Sequence, residues 1–268
     1  MAQEDIKKTA IITPFGLFEF LRMPFGLKDS AQAFQRLMNR VLGDLLRVFV
    51  YLDDILVASS DMDQHLRDLH EVLCRLRDAG LSLNKKKCIL AASSLKYLGH
   101  TVDSTGIVPL PAKVEAITSM PRPTTKVELQ QFLGCVNFFH RFLPGIAKVL
   151  APLHALTASV PMPKSLLSWS VLEAEAFVAA KLALFEAVKL AHPDPDVDAS
   201  MSLTTDASLV AVSAVLSQGG VDGAPIAFFS KKLSPAEQKY SAFDRELLGV
   251  FLAIKHFRHL LEGRPFTV

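Results

Sequence analysis

Cysteine is scarce in this chain: Cys74, Cys88 and Cys135 are its only three. They lie far apart and none belongs to a C-x-x-C pair, which argues against a disulfide framework and a zinc ribbon. Small buried hydrophobes in a reducing compartment are the expected role. Long apolar runs are missing too. No stretch approaches the roughly 18 residues of a membrane span. Met1 is followed by Gln3, Glu4 and Asp5 rather than by the apolar region of a secretory signal. Nor does charge of one sign prevail. Lys plus Arg number 29 against 27 Asp plus Glu, a net +2, and the balance is equally close to neutral on either side of residue 105. No block is basic enough to announce a nucleic-acid partner by charge alone. Internal repeats and low-complexity tracts are absent. What is there is ordinary globular material, 268 residues of which 50% are hydrophobic and 21% charged. That length allows a real core in one large or two ordinary domains. The expectation is a soluble intracellular protein, neither secreted nor membrane-bound.

The order of elements reads as α+β. Ile11 to Phe20 is strand-like around a turn at Pro14–Gly16. From Ser30 to Leu46, Ala33, Phe34, Leu37, Met38, Val41, Leu42 and Leu45 recur at helical spacing. Val48 to Ser59 reads strand, turn, strand. Asp61 to Ala79 is helical again and Gly80 stops it. Pro109, Pro111, Pro121 and Pro123 mark a linker. Capping boxes at Thr125–Glu128 and Ser170–Glu173 open helices predicted to reach about Leu143 and Leu190. Pro161, Pro163 and the tract Pro193 to Asp198 mark breaks. Met201–Thr205 and Val210–Ser217 are predicted strands around a turn at Asp206–Ser208, and Ala224–Ser230 is a third. Ser234, Pro235 and Glu237 read as a helix start. An amphipathic helix is predicted from about Ser241 to Leu261 with Gly263 as its cap. Phe266–Val268 begins another strand.

The strongest local chemistry is Tyr51–Leu52–Asp53–Asp54 between two apolar strands. Two adjacent carboxylates in a tight hairpin repel one another. A divalent cation removes that cost, because Mg²⁺ takes carboxylate oxygens together with substrate phosphates. Two-metal phosphoryl transfer needs carboxylates on a rigid support. A solvated Asp-rich turn is the plain alternative.

The surroundings decide between them. Leu21–Arg22–Met23–Pro24–Phe25–Gly26–Leu27 and Gln32–Ala33–Phe34–Gln35–Arg36 lie upstream. Lys85–Lys86–Lys87–Cys88 and Tyr97–Leu98–Gly99–His100 lie downstream. Phe132–Leu133–Gly134, Asn137 to Phe142, Thr204 to Ser208 and Asp244 to Leu248 follow in order. This ordered set resembles the pol polyprotein of gypsy-type long-terminal-repeat retrotransposons, a reverse transcriptase with an RNase H-like domain. A departure is Ala31, where the family often carries proline.

The resemblance implies the following roles. Asp53 and Asp54 would hold Mg²⁺ (or Mn²⁺) at the primer end, and Tyr51 would lie along the primer. Phe25 and Gly26 would underlie the incoming dNTP, and Gln32 and Gln35 would touch the template. Lys87 would protonate the leaving pyrophosphate. Leu98–Gly99 would start a primer-grip hairpin. Asp206 and Glu246 would bind Mg²⁺ in the RNase H part, with Asp244 facing elsewhere. His256 and His259 could touch one metal, but no third ligand is near. Trp169 reads as a packing anchor, and Phe138, Phe139 and Phe142 as helix core.

The fold expected is an incomplete palm over residues 1–105, a helical thumb or connection over 106–165, and an incomplete RNase H-like α/β domain over 166–268. The family uses further aspartates beyond both ends of this stretch, so each site is expected to hold about half its carboxylates. The partners implied are an RNA template, a DNA primer, RNA–DNA hybrid, dNTP and the remainder of a pol polyprotein, in a cytoplasmic virus-like particle or in the nucleus. Three readings stand: a fragment of weak activity alone, a non-catalytic nucleic-acid- or protein-binding remnant, and one piece of an active polyprotein.

Overall fold

The computed structural model describes residues 1–24, 26–194, 199–220 and 222–268. Two compact units form, Met1–Ala92 and Ser93–Val268.

The first unit opens with a short hairpin of β1 (Ile11–Thr13) and β2 (Gly16–Phe18). Helix α1 (Ser30–Leu42) follows, then β3 (Val48–Tyr51), β4 (Asp54–Val57) and helix α2 (Met62–Asp78). Asp61 caps α2 by accepting from the Gln64 N–H at 2.8 Å. Strands β3 and β4 pair antiparallel with Val48 opposite Val57 and Val50 opposite Ile55. Period-two alternation puts those four β-branched side chains on one face. There they meet buried Met38 and Leu42 of α1 and Val72 and Leu76 of α2. The opposite face carries Phe49, Tyr51, Asp54 and Leu56, with Phe49 and Tyr51 53% and 55% exposed.

The second unit opens with a meander of β5 (Ser94–Tyr97), β6 (His100–Asp103) and β7 (Gly106–Pro109). Four helices follow: α3 (Pro111–Thr118), α4 (Lys126–Phe138), α5 (Ile146–Ser159) and α6 (Val171–Phe185). Their core gathers Leu129, Phe132, Val136, Phe142, Ile146, Leu153, Phe177 and Leu184. Next come β8 (Met201–Ala207), β9 (Ala211–Gln218), β10 (Ala224–Lys232), helix α7 (Ala242–Leu261) and β11 (Phe266–Thr267), in the sheet order β10-β9-β8-β11. One face of this sheet packs Met201, Leu203, Ala214 and Leu216 against Ala253, Phe257 and Leu261 of α7. Among the described residues, no helix is long and apolar enough to cross a membrane.

Several boundaries differ from the sequence reading. The proline-marked linker contains α3, because Pro111 stands at the first helical position where its missing N–H costs nothing. Helix α6 stops at Phe185, not near Leu190; Leu190 instead exchanges backbone hydrogen bonds with Ile107 at 2.8 and 3.0 Å. Asp206 lies within β8 rather than in a turn. Ser234 and Glu237 make their capping bonds, yet they open only a single 3-10 turn, Glu237–Lys239. Tyr240 is extended and α7 starts anew on a Ser241 cap. The turn tract at 193–198 lies partly outside the described residues.

Candidate active-site carboxylates

The pair Tyr51–Asp54 closes a two-residue turn made of Leu52 and Asp53. Leu52 takes φ +52°, a left-handed conformation that costs a side-chain-bearing residue about 1–2 kcal/mol. Hydrogen bonds from α1 offset that cost. The Leu52 N–H donates to Gln35 Oε1 at 2.6 Å, and Gln35 Nε2 donates to the Val50 carbonyl at 3.1 Å and to Asn39 Oδ1 at 2.7 Å. Asp53 at the tip and Asp54 at the end of the open face are both exposed. Neither carboxylate has a hydrogen-bond or ion-pair partner among the described residues. Adjacent, unpartnered, hydrated carboxylates on a two-stranded support are the donor set a hard divalent cation takes.

Gly26 has φ +89° and open space where a side chain would be, while Phe25 lies outside the described residues. Gln32 is exposed on α1, one helical turn before Gln35. Lys87 ends an exposed 3-10 turn held by Asn84, whose Oδ1 accepts from the Lys86 N–H at 3.1 Å. No hydrogen bond or ion pair among the described residues joins Lys87 to Asp53 or Asp54.

In the second unit Leu98 and Gly99 form the turn between β5 and β6, so they are the apex of that hairpin and not its start. A side chain at position 99 would meet the Phe138 ring at 3.3 Å. Phe139 and Phe142 are buried as expected, but Phe138 is 56% exposed and stacks on His100 with ring centroids 5.5 Å apart. Trp169 is the packing anchor expected. Its indole N–H donates to the Pro123 carbonyl at 2.9 Å, and Arg122 and Phe177 lie 4.5 and 5.7 Å from its ring.

Glu246 of α7 reaches the end of β8 that carries Asp206, and among the described residues no hydrogen bond joins the two side chains. Glu246 Oε1 accepts the Ala207 N–H at 3.3 Å, so α7 delivers its carboxylate to the residue after Asp206. Strand alternation turns Asp206 to the face opposite Leu203 and Thr205. Asp244 is used otherwise, receiving the Ser241 hydroxyl at 2.7 Å in the cap of α7. His256 is stacked on Phe229 at 4.5 Å. No group of three or more His, Cys, Asp or Glu able to hold a metal exists among the described residues. Asp53 and Asp54 are an adjacent carboxylate pair, the kind of donor set that suits a Mg²⁺ ion keeping waters and sharing substrate phosphates rather than one caged wholly by protein.

Comparison with known proteins identifies the class. Residues 1–102 match the reverse transcriptase (RNA-dependent DNA polymerase) family, and residues 169–268 match the RNase H-like domain found in reverse transcriptase. The fold is shared with foamy viral protease-reverse transcriptase. The form in complex with double-stranded DNA has a TM-score of 0.87 at 23% identity, covering 99% of this chain and 46% of that one. The form in complex with RNA/DNA hybrid has a TM-score of 0.84 at 24% identity, covering 99% and 36%. The chain thus carries a reverse transcriptase domain and an RNase H-like domain. Over part of their length it is similar to the Pol polyproteins of retrotransposons. It is 40% identical over 270 residues to the retrovirus-related Pol polyprotein from transposon 297 of Drosophila melanogaster, covering 100% of this chain and 25% of that protein. It is 34% identical to the transposon Tf2-3 polyprotein of Schizosaccharomyces pombe, covering 98% and 20%. The chain spans a quarter or less of the length of these relatives.

Proposed function

We propose that this chain supplies part of the polymerase and nuclease centres of a retrotransposon RNA-directed DNA polymerase. The observation that carries the reading is the tip of the β3–β4 hairpin, where Asp53 and Asp54 stand exposed and unpartnered beside an open face bearing Tyr51. In nucleotidyl transfer the primer 3′-hydroxyl loses its proton and bonds to the α-phosphorus of a dNTP, and the bond to pyrophosphate breaks. Asp53 and Asp54 would hold Mg²⁺, which supplies charge neutralisation at the phosphates when bound. Tyr51 lays an aromatic surface along the primer, Phe25 and Gly26 underlie the dNTP, and Gln32 faces the template. Lys87 is the candidate proton donor to pyrophosphate. Leu98–Gly99 bears on the primer, and Asp206 with Glu246 would hold Mg²⁺ for cleavage of RNA in the hybrid. The working location is a cytoplasmic virus-like particle or the nucleus.

Full turnover requires further carboxylates, because each described site holds only two. Primer extension on an RNA template with Mg²⁺ or Mn²⁺ tests the reading, using this chain and the same chain within a longer Pol sequence. Extension in the longer form that falls at least about a hundredfold in Asp53→Asn supports it. The second reading is a non-catalytic nucleic-acid- or protein-binding remnant. Salt-dependent binding of RNA–DNA hybrid with no turnover in either form would establish that instead.

A further inference from the structure

We infer that Gln35 is a positioning residue for the hairpin carboxylates, holding the Leu52 turn from which Asp53 and Asp54 project. The inference rests on reading that hairpin as the nucleotidyl-transfer site. Gln35 lies 17 residues before Leu52 in sequence, on the helix behind the hairpin. Its amide bonds the carbonyl of Val50 and the N–H of Leu52. Val50 is in β3 and Leu52 just past its end, and the two present the alternate backbone groups that a neighbouring strand would engage. The side chain therefore substitutes for a strand where the hairpin backbone turns left-handed.

The chemistry requires an amide. A carboxylate could accept from Leu52 but could not donate to Val50. An apolar side chain would leave the Leu52 N–H without its acceptor and the left-handed turn without support. Asn39 completes the arrangement. Its Oδ1 takes the second N–H of Gln35, one helical turn further along α1, and so fixes which end of the amide faces Leu52. Asp53 follows Leu52 directly, so a change in the backbone at Leu52 re-aims both carboxylates. Gln35 acts through that backbone and has no need to touch nucleotide or metal.

The test uses the whole chain and two readouts. Amide hydrogen exchange reports the Leu52 N–H, and paramagnetic broadening by Mn²⁺ reports ion binding at Asp53 and Asp54. Gln35→Met should speed exchange at Leu52 about tenfold and weaken Mn²⁺ binding about fivefold, the scale of one lost hydrogen bond. Exchange at Leu42 and Leu76 should stay unchanged, showing that the unit remains folded. Should Gln35→Met unfold it, Gln35→Glu carries the same test, because it keeps the acceptor and loses the donor. Leu52→Gly in the Gln35→Met background is the decisive rescue, since glycine adopts positive φ without support. Mn²⁺ affinity should return to within about twofold of wild type. Unchanged Leu52 exchange in Gln35→Met, or weakened Mn²⁺ binding that Leu52→Gly fails to restore, overturns the inference. Exchange that depends on Gln35 in a chain whose Mn²⁺ binding ignores Asp53→Asn overturns the polymerase reading instead, and leaves Gln35 as a clamp of the turn alone.

Discussion

Ser230 shows how much one side chain settles at the junction of two layers. It is buried in β10, and its Oγ accepts the Ala147 N–H at 3.0 Å while lying 3.1 Å from His140 Nε2. Ala147 is in the first turn of α5, where backbone N–H groups lack helical acceptors. The hydroxyl therefore caps a helix from a neighbouring strand and orients an imidazole as well. Ser230→Ala removes the acceptor and leaves both groups without it. A loss of about 1–3 kcal/mol is expected, read by denaturant unfolding. Ser230→Thr, which keeps the hydroxyl, should lose less. An equal loss in both variants would assign the effect to packing alone.

Among the elements, the link between β7 and the segment after α6 is the most exacting. At Gly106 φ is +150°, and a side chain there would come within 2.1 Å of the Leu190 carbonyl oxygen. That carbonyl accepts from Ile107 at 2.8 Å, so the backbone has nowhere to give. Gly106→Ala is expected to lower the thermal midpoint by several degrees, about 2 kcal/mol or more. Gly134→Ala is its control. Gly134 is inside α4 with open space around it, and alanine there should stabilise by roughly 0.5–1 kcal/mol. The same contrast explains what was legible in the sequence. Helices α2, α4 and α6 announce themselves through local caps and spacing. Helix α5 is hidden from local pattern because Pro152 stands inside it and Pro161 and Pro163 follow closely. The false start at Ser234 shows that a capping box needs an apolar face behind it to propagate. In the site, the acidic hairpin was legible because strand, turn and carboxylates are contiguous. Gln35, expected as a template contact, gives its amide to bonds across 15 and 17 residues, which no local pattern encodes.

At the scale of the whole molecule, the two compact units invite separate treatment. Residues 93–268 are expected to fold without residues 1–92, because their cores close within the unit; a dispersed amide spectrum would show it, and a collapsed one would refute it. Their responses to acid should also differ. Burial holds the imidazoles of His100, His140, His154 and His256 below the usual histidine range, with Arg141, His256, Lys232 and His259 respectively adding charge repulsion. The backbone at Leu98 and Tyr97 for His100, and at Ser230 for His140, opposes this only in part. A lowered histidine pKa favours the neutral form in the folded state. The stability it confers is present above about pH 6.5 and is lost as pH falls through the folded value. In residues 1–92 the shifted acids are carboxylates. Hydrogen bonds from Arg47 to Asp68, from Arg75 to Asp44 and from the Gln64 N–H to Asp61 hold all three below the usual range. Their contribution persists above about pH 3.9 and is lost only below it. Acidification from pH 7 to 5 should therefore loosen residues 93–268 first, as residue-resolved hydrogen exchange would show. Equal loosening of both units would refute this.

Trp169, stacked under Arg122 with its N–H tied to Pro123, is the only tryptophan in the chain. Excitation at its red absorption edge therefore produces light from residues 93–268 alone. Tyr51 is the sole tyrosine of residues 1–92 and sits beside the acidic turn. The protein thus carries one optical reporter for its helical core, and residues 1–92 carry a single tyrosine at the edge of the proposed polymerase site.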